Sequence, residues 1–338
     1  MEIKQILKRE LNENLKFNEP MKKHTYLGIG GRAEYFYFAN HLDDLVKSVR
    51  LAQKLKIPYL VVGNCSNIVV SDQGFEGMII KNQASKLIFE KNVAFVESGM
   101  TLFHLIRKLA EANLGGLEFL AGIPGTLGGA IYGNAGAYGK SMADLVENIS
   151  ILDSDGEIKQ FKNKDFGFRY RESILKARAK ISSDYYNRPV ILSSRLKIMP
   201  KERESVLRVV ENYLKIRDKK IPTERSAGCV FKNIEITGER MANPQLKLLA
   251  IDNKIPAGLL IDKTGLKGKR IGRIKISEKH ANFLVNLGRG KAIDYFRLAN
   301  LIKQKVKEKF EIHLDEEIEY IGDLEVKKRG ILERVFKK

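Results

Sequence analysis

Between Gly122 and Gly139 the chain reads GIPGTLGGAIYGNAGAYG, seven glycines in eighteen residues. Glycine lets backbone approach a ligand closely and offers N–H donors with no side chain in the way. Helix N-termini do the same for phosphate. Gly125, Thr126, Gly128, Gly129, Asn134 and Gly136 are therefore candidates to cradle a pyrophosphate. The same glycines would also suit a tight loop that binds nothing, but seven of them with Thr and Asn interleaved favour a ligand. The pattern is not the Rossmann fingerprint, and no Gly-Lys-Ser/Thr follows to make it a P-loop. A second polar turn, Gly63-Asn64-Cys65-Ser66-Asn67, follows an apolar run. It is as well explained by an ordinary βα turn as by phosphate binding.

Four further side chains could do chemistry. Cys229, in SAGCVFKN, carries a thiol that is protonated near neutral pH and could donate a proton. A free cysteine is as readily a small buried hydrophobe. Arg171, after FGFRY, offers the planar fork that matches a carboxylate; taken singly it reads as a surface arginine. Glu317 lies among acids in LDEEIEYIG, and His280 in SEKHANF is more often structural than catalytic. No metal-ligand spacing, HExxH or CxxC is present, so no metal is expected.

The elements that must position these residues alternate between helix and strand. Residues 42–55 place Leu42, Leu45, Val46, Val49, Ala52 and Leu55 at helical spacing. Strands are expected at 57–63, across NIVVSD and GMIIKN in a βαβ-like opening, and at 86–90 and 93–98. A helix is expected at 101–111, with Gly115-Gly116 just past its end, where glycines terminate helices. ISILDSDGEIKQF reads as a hairpin turning at Ser154-Asp155-Gly156. A strand at 188–198 and a helix near 201–217 lead into a last region. There, strands near 230, 273–277, 282–286 and 316–322 accompany helices at 257–263 and 291–310.

Composition frames these candidates. The 338 residues suit two or three domains, and 43% hydrophobic with 30% charged residues fits an ordinary globular protein. No apolar run reaches the roughly 18 residues of a membrane helix. The N-terminal MEIKQILKRELNENLKF reads as a short amphipathic helix rather than a signal peptide. Two distant cysteines, Cys65 and Cys229, form no disulfide framework and fit a reducing cytoplasm. The net charge of +19 could mean nucleic acid, but the basic residues are interspersed with acids. Such potential would also draw anionic substrates.

Taken in order, the motifs resemble one family, the UDP-N-acetylenolpyruvoylglucosamine reductases (MurB). The resemblance runs from His24 to Gly322 through HTYLGIGG, GNCSNIVVSD, GIPGTLGGAIYGNAGAYG, FGFRYRESILK, SAGCVFKN, AGLLIDKTGLKG, SEKHANFLVN and EEIEYIG. It implies an α+β/α/β fold: an FAD-binding module of two subdomains, similar to that of the vanillyl-alcohol oxidase superfamily, plus a C-terminal α/β domain over the substrate. On this basis the domains are expected at 1–85, 86–205 and 206–322, with a basic tail at 323–338. It also implies noncovalent FAD, held by Gly63, Asn64, Cys65, Ser66 and Asn67 with the glycine-rich stretch. NADPH would reduce the flavin and leave. The enolpyruvyl nucleotide would then take hydride at its vinyl carbon and pass through an enolate to UDP-N-acetylmuramate, a cell-wall precursor.

In this resemblance Arg171 and Glu317 match the pair at the substrate carboxylate, and residue 229 matches the proton donor. Tyr170, Lys220, Asn233, Lys267 and His280 fall where the family contacts the substrate. The family generally has serine at 229; a thiol is more acidic but makes weaker, longer hydrogen bonds. Cys65 stands where glycine is common, and Gly133 where a bulkier residue is. The short connection before SAGCVFKN suggests the subtype without an extra substrate-covering loop. A cytoplasmic monomer that does not bind nucleic acid is expected. Ile331, Leu332, Val335 and Phe336 of the tail could form a small docking face. Three rivals predict other behaviour: a flavin oxidoreductase of the same scaffold on another acid, a basic nucleic-acid-binding protein, and a flavin binder that has lost catalysis.

Overall fold

In the computed structural model of the chain, residues 2–181, 185–186, 188–236, 248–251 and 253–323 are described. The tail beyond Asp323, with its expected apolar face, lies outside them. Contacts group the chain into two units that are discontinuous in sequence. One comprises 1–19, 33–64 and 76–219; the other comprises 20–32, 65–75 and 220–338. Both expected flavin subdomains and the helix Arg203–Lys220 fall mainly in the first unit.

That unit holds two separate cores. In one, strands Leu15–Pro20, Arg32–Ala39, Phe75–Asn82 and Tyr59–Val62 form a sheet in that order. Tyr59–Val62 runs parallel to Phe75–Asn82. Leu45, Val49 and Ala52 line one stripe of the helix Leu42–Lys54 and pack with Tyr59, Met78 and Ile80. The other core lies against a five-stranded antiparallel sheet. Its order is Ile158–Lys162, Val146–Leu152, Val190–Lys197, Val93–Glu97, Leu87–Glu90. The expected hairpin is present, and Asp153 Oδ1 accepts from the N–H groups of Asp155 (2.9 Å) and Glu157 (3.0 Å) across its turn. The helix Leu102–Glu111 is present as well. It ends not on Gly115-Gly116 but on Asn113, which takes the left-handed conformation at φ 54°. Asparagine tolerates that region, and Gly115 is left to a short strand, Leu114–Gly115, that pairs with Met199 and Pro200.

The second unit has a four-stranded sheet ordered Ser226–Cys229, Phe283–Asn286, Ile274–Ile276, Arg270–Ile271. The helix Ala292–Phe310 buries Ala292, Tyr295, Leu298, Ala299, Ile302 and Val306, a helical stripe that enters the core with Ile274, Ile276 and Leu284. NIVVSD does not join the sheet of its neighbours in sequence. Its strand Ile68–Val70 pairs in parallel with Glu319–Ile321, far along the chain. Asp72, just beyond it, accepts from the N–H groups of Ala292 (2.9 Å) and Ile293 (3.1 Å) and so caps the long helix.

Candidate active site

In the first unit the two glycine turns meet. A Cβ on Gly63 would lie 2.2 Å from Thr126 Oγ1, so only glycine permits the approach. Asn64 Nδ2 donates to the Pro124 carbonyl at 3.3 Å. The stretch expected as a loop is partly helical: Leu127–Tyr132 forms a short helix whose N-cap, Thr126, accepts from the Gly129 N–H. It is fastened by Leu127 N–H to the Met100 carbonyl and Gly128 N–H to the Ser98 carbonyl, both at 2.8 Å.

The glycines divide by what requires them. Gly63, Gly128 and Gly136 are needed by packing: added Cβ atoms would meet Thr126, Ser98 and the Lys140 carbonyl at 2.2, 3.0 and 2.5 Å. Gly125 and Gly129 are not, because the nearest atoms would lie at 3.6 and 3.7 Å and neither has a positive φ. A glycine that packing would let carry a side chain suits a ligand lying against its backbone. The N–H groups of Leu127, Gly128 and Gly129 are spent on this pinning and capping, so the diphosphate of FAD would be met by backbone of the turn that precedes the helix, around Gly125 and Thr126.

Arg171 is tied to the same stretch. Tyr170 and Arg171 form a two-residue turn closed by reciprocal bonds between Arg169 and Glu172. Arg171 sits at φ 55°, a conformation that non-glycine residues rarely hold without support. Three bonds supply it: Arg171 Nη2 to the Gly136 carbonyl (2.6 Å), Asn134 Nδ2 to the Arg169 carbonyl (2.8 Å) and Ser173 Oγ to the Tyr132 carbonyl (2.7 Å). The guanidinium also lies 5.2 Å from the Tyr170 ring. Asn134, expected to contact the cofactor, spends its side chain on this brace, since its Oδ1 accepts from Ala143 N–H. Neither Asn134 nor Ser173 could be assigned that role from sequence, because their partners are carbonyls that the fold delivers.

In the second unit, the segments that follow Cys229 and lead to Glu317 pair along the backbone. Residues 230–232 pair with 315–317: Glu317 N–H donates to the Val230 carbonyl (2.8 Å), Lys232 N–H to the Asp315 carbonyl (2.9 Å), and Phe231 bridges Glu316. Cys229 ends its strand opposite Phe283 and is half-buried, as is Glu317. Asn67, another expected cofactor contact, donates from Nδ2 to the Glu317 carbonyl (3.1 Å). Cys65 is buried at φ 52° and its carbonyl accepts from Tyr26 N–H. That left-handed angle is why glycine suits the position. Ser66 is half-buried beside it.

The expected substrate residues of this unit gather around the helix Ala257–Lys263. Asn233 Oδ1 accepts from the Ala257 N–H (3.1 Å), a bracing role. A Cβ on Gly258 would meet His280 Cε1 at 3.0 Å. Lys267 pairs with Asp262 at 2.9 Å. Burial holds the His280 imidazole below its usual range, and the positive charges of Lys267 and Lys220 depress it further. His280 Nδ1 accepts from Asn282 N–H (3.2 Å), which requires that nitrogen to be unprotonated. The exposed lysines and this neutral ring make an electropositive corner suited to a diphosphate.

Comparison with known proteins agrees with this arrangement. The family model described as UDP-N-acetylenolpyruvoylglucosamine reductase, C-terminal domain, matches residues 220–321, and one described as FAD binding domain matches 33–162. The UDP-N-acetylenolpyruvoylglucosamine reductase of Caldicellulosiruptor bescii is 39% identical over 327 residues, 96% of each chain. That of Alkaliphilus oremlandii is 35% identical, covering 90% of this chain and 93% of its own. The crystal structure of the Thermus caldophilus enzyme superposes with a TM-score of 0.70 at 31% identity, over 90% of this chain and 97% of that one. With an FAD-binding module, a reductase C-terminal domain and this likeness over nearly its whole length, the chain belongs to the UDP-N-acetylenolpyruvoylglucosamine reductase family.

Proposed function

We propose that this chain reduces UDP-N-acetylglucosamine enolpyruvate to UDP-N-acetylmuramate with NADPH, with Arg171, Cys229 and Glu317 as its catalytic residues. One observation supports the residue assignment: the bond from Glu317 N–H to the Val230 carbonyl holds the segments that carry Glu317 and Cys229 side by side along the backbone. Bound FAD would supply hydride transfer, accepting hydride from NADPH and delivering it from N5 to the vinyl carbon. Backbone at Gly63, Asn64, Gly125 and Thr126 would hold its diphosphate, with Gly129 leaving room beside it.

The remaining work falls to side chains. Hydride addition puts negative charge on the substrate carboxylate side, and the Arg171 fork stabilises that charge as it develops. Its anchor on the Gly136 carbonyl limits the freedom lost on binding. Glu317 hydrogen-bonds the same group. The Cys229 thiol gives its proton to the enolate carbon, and solvent returns a proton to the thiolate. Lys220 and Lys267 meet the nucleotide diphosphate, with Tyr170, Asn233 and His280 completing the pocket. The reading carries with it a cytoplasmic monomer that does not bind nucleic acid. Among the described residues no helix is long and apolar enough to cross a membrane.

The test is the anaerobic visible spectrum of the purified protein. The flavin band should bleach with NADPH and return when the enolpyruvyl nucleotide is added. Bleaching without return rejects the substrate; absence of a flavin band after added FAD rejects the reading altogether. Cys229→Ser should keep turnover and lose sensitivity to iodoacetamide, whereas an alkylated wild-type enzyme with full turnover removes Cys229 from the chemistry.

A further inference from the structure

His280 is half-buried, and the fold holds its ring from three sides. Asn282 N–H donates to Nδ1 at 3.2 Å. A Cβ on Gly258 would lie 3.0 Å from Cε1 and 3.4 Å from Nδ1, so the glycine gives this edge of the imidazole its room. The Phe283 ring stands at 64° to it, with centroids 4.9 Å apart. The remaining polar atom is Nε2, which has no hydrogen-bond partner among the described residues. It is not sealed off either: the fully buried side-chain polar atom without a partner among those residues is the Tyr295 hydroxyl. Nε2 is therefore open to a ligand.

The backbone that carries the ring is braced as well. Ser277 is buried, and its Oγ accepts from the N–H groups of Lys279 (3.2 Å) and His280 (3.3 Å). Phe283 N–H donates to the His280 carbonyl (3.0 Å), and Ser277 N–H to the Phe283 carbonyl (2.9 Å). Asn282, also buried, is tied down by its side chain. Its Nδ2 donates to the Phe231 carbonyl (2.8 Å), and its Oδ1 accepts from Phe231 N–H (3.0 Å). The group facing Nδ1 is a backbone N–H, which can only donate. Nδ1 must accept, so the single ring proton of the neutral imidazole sits on Nε2. Burial favours the neutral ring, and the positive charges of Lys267 and Lys220 add to this.

We infer that Asn282 and Gly258 are positioning residues that hold His280 in one ring orientation and one tautomer, so that Nε2–H donates to a phosphoryl oxygen of the nucleotide diphosphate. The inference rests on the enolpyruvyl nucleotide being the substrate. It gives the histidine a directional hydrogen bond and leaves charge neutralisation to Lys220 and Lys267, whose ammonium groups act as point charges. A ring whose orientation and proton are set before binding loses little freedom when that bond forms. The diphosphate does not react, so the bond is the same in the ground state and the transition state. It acts on nucleotide affinity and not on the hydride or proton step.

Three variants of the FAD-loaded enzyme and one spectrum test this. His280→Ala should raise the nucleotide concentration that half-saturates flavin reoxidation about tenfold, the effect of one lost hydrogen bond, and leave the limiting rate unchanged. His280→Gln brings an amide N–H toward the Nε2 position and should recover affinity to within about threefold. Gly258→Ala should raise the half-saturating concentration several-fold alone and add nothing in the His280→Ala background, because the new methyl group acts through the ring. In 15N spectra of histidine-labelled, ligand-free enzyme, Nε2 of His280 should carry the proton and Nδ1 should not. Loss of one signal in His280→Gln assigns it among the five histidines. An Nδ1–H tautomer overturns the inference whatever the kinetics. So does His280→Gln binding as weakly as His280→Ala, or an additive effect of Gly258→Ala. If the nucleotide fails to reoxidise the wild-type flavin, the substrate reading falls and the phosphoryl acceptor with it, and the spectrum still decides the tautomer.

Discussion

At residue scale, conformation and charge state separate side chains that composition treats alike. Cys65 and Arg171 both hold backbone angles ordinarily left to glycine, at φ 52° and 55°, and both lie in motifs expected to touch cofactor or substrate. Such strain persists only where surroundings enforce it, and around Arg171 the enforcing bonds are visible. His280 shows the same for charge. Its pKa is lowered in the folded state, first by burial and then by Lys267 and Lys220. The unfolded chain therefore binds the extra proton more readily. The associated stability is fully present above the unfolded imidazole value of roughly 6.5 and is lost as pH falls through the lower folded value. His280→Gln should flatten the fall of the thermal midpoint between about pH 7 and pH 5. Identical slopes for both proteins would show that His280 does not titrate differently on folding.

At element scale, the glycine-rich stretch contains a short helix pinned to residues 98–101, with one set of glycines required by packing and another with room for a side chain. This predicts opposite phenotypes for neighbouring substitutions. Gly63→Ala drives a methyl group into Thr126 and should destabilise the apoprotein by about 1–3 kcal/mol. Gly125→Ala should leave apoprotein melting unchanged and weaken FAD binding tenfold or more, as read by flavin fluorescence titration. If Gly125→Ala binds FAD as tightly as the parent, the cradle lies elsewhere. The long helix Ala292–Phe310 gives the complementary case: its apolar stripe is plain from spacing, but its cap, Asp72, lies 220 residues upstream.

At the scale of the whole molecule, charge and connectivity matter more than any one contact. The excess of 60 basic over 41 acidic residues leaves +19 on a protein whose proposed ligands are all anions. Such a field raises encounter rates with anions and is screened within about 10 Å at 0.1 M salt. Raising ionic strength from about 20 to 300 mM should lower kcat/KM for both NADPH and the nucleotide several-fold while leaving kcat nearly constant. An unaffected kcat/KM would mean that steering plays no part. Connectivity is equally global, because Pro20–Arg32 and Cys65–Phe75 belong with the C-terminal unit. A truncation at residue 220 would therefore strip that unit of a strand and a helix cap.

The amino-acid sequence alone determined the local elements and the family. Helical stripes, the Asp-Gly hairpin and eight ordered motifs are short-range patterns, written in spacing and residue type. Arg171, Cys229 and Glu317 could be named, but only through resemblance, since each taken singly reads as an ordinary surface or core residue. What the tertiary structure decided is long-range: that Ile68–Val70 pairs with Glu319–Ile321, that Glu317 N–H meets the Val230 carbonyl, that the Asn134 side chain braces the turn at Arg169. It also decided that Tyr295, one apolar-stripe residue among many in sequence, carries a hydroxyl without a partner. Periodicity reports which face of an element is buried. It is silent on which distant carbonyl, carboxylate or thiol the fold brings to that face.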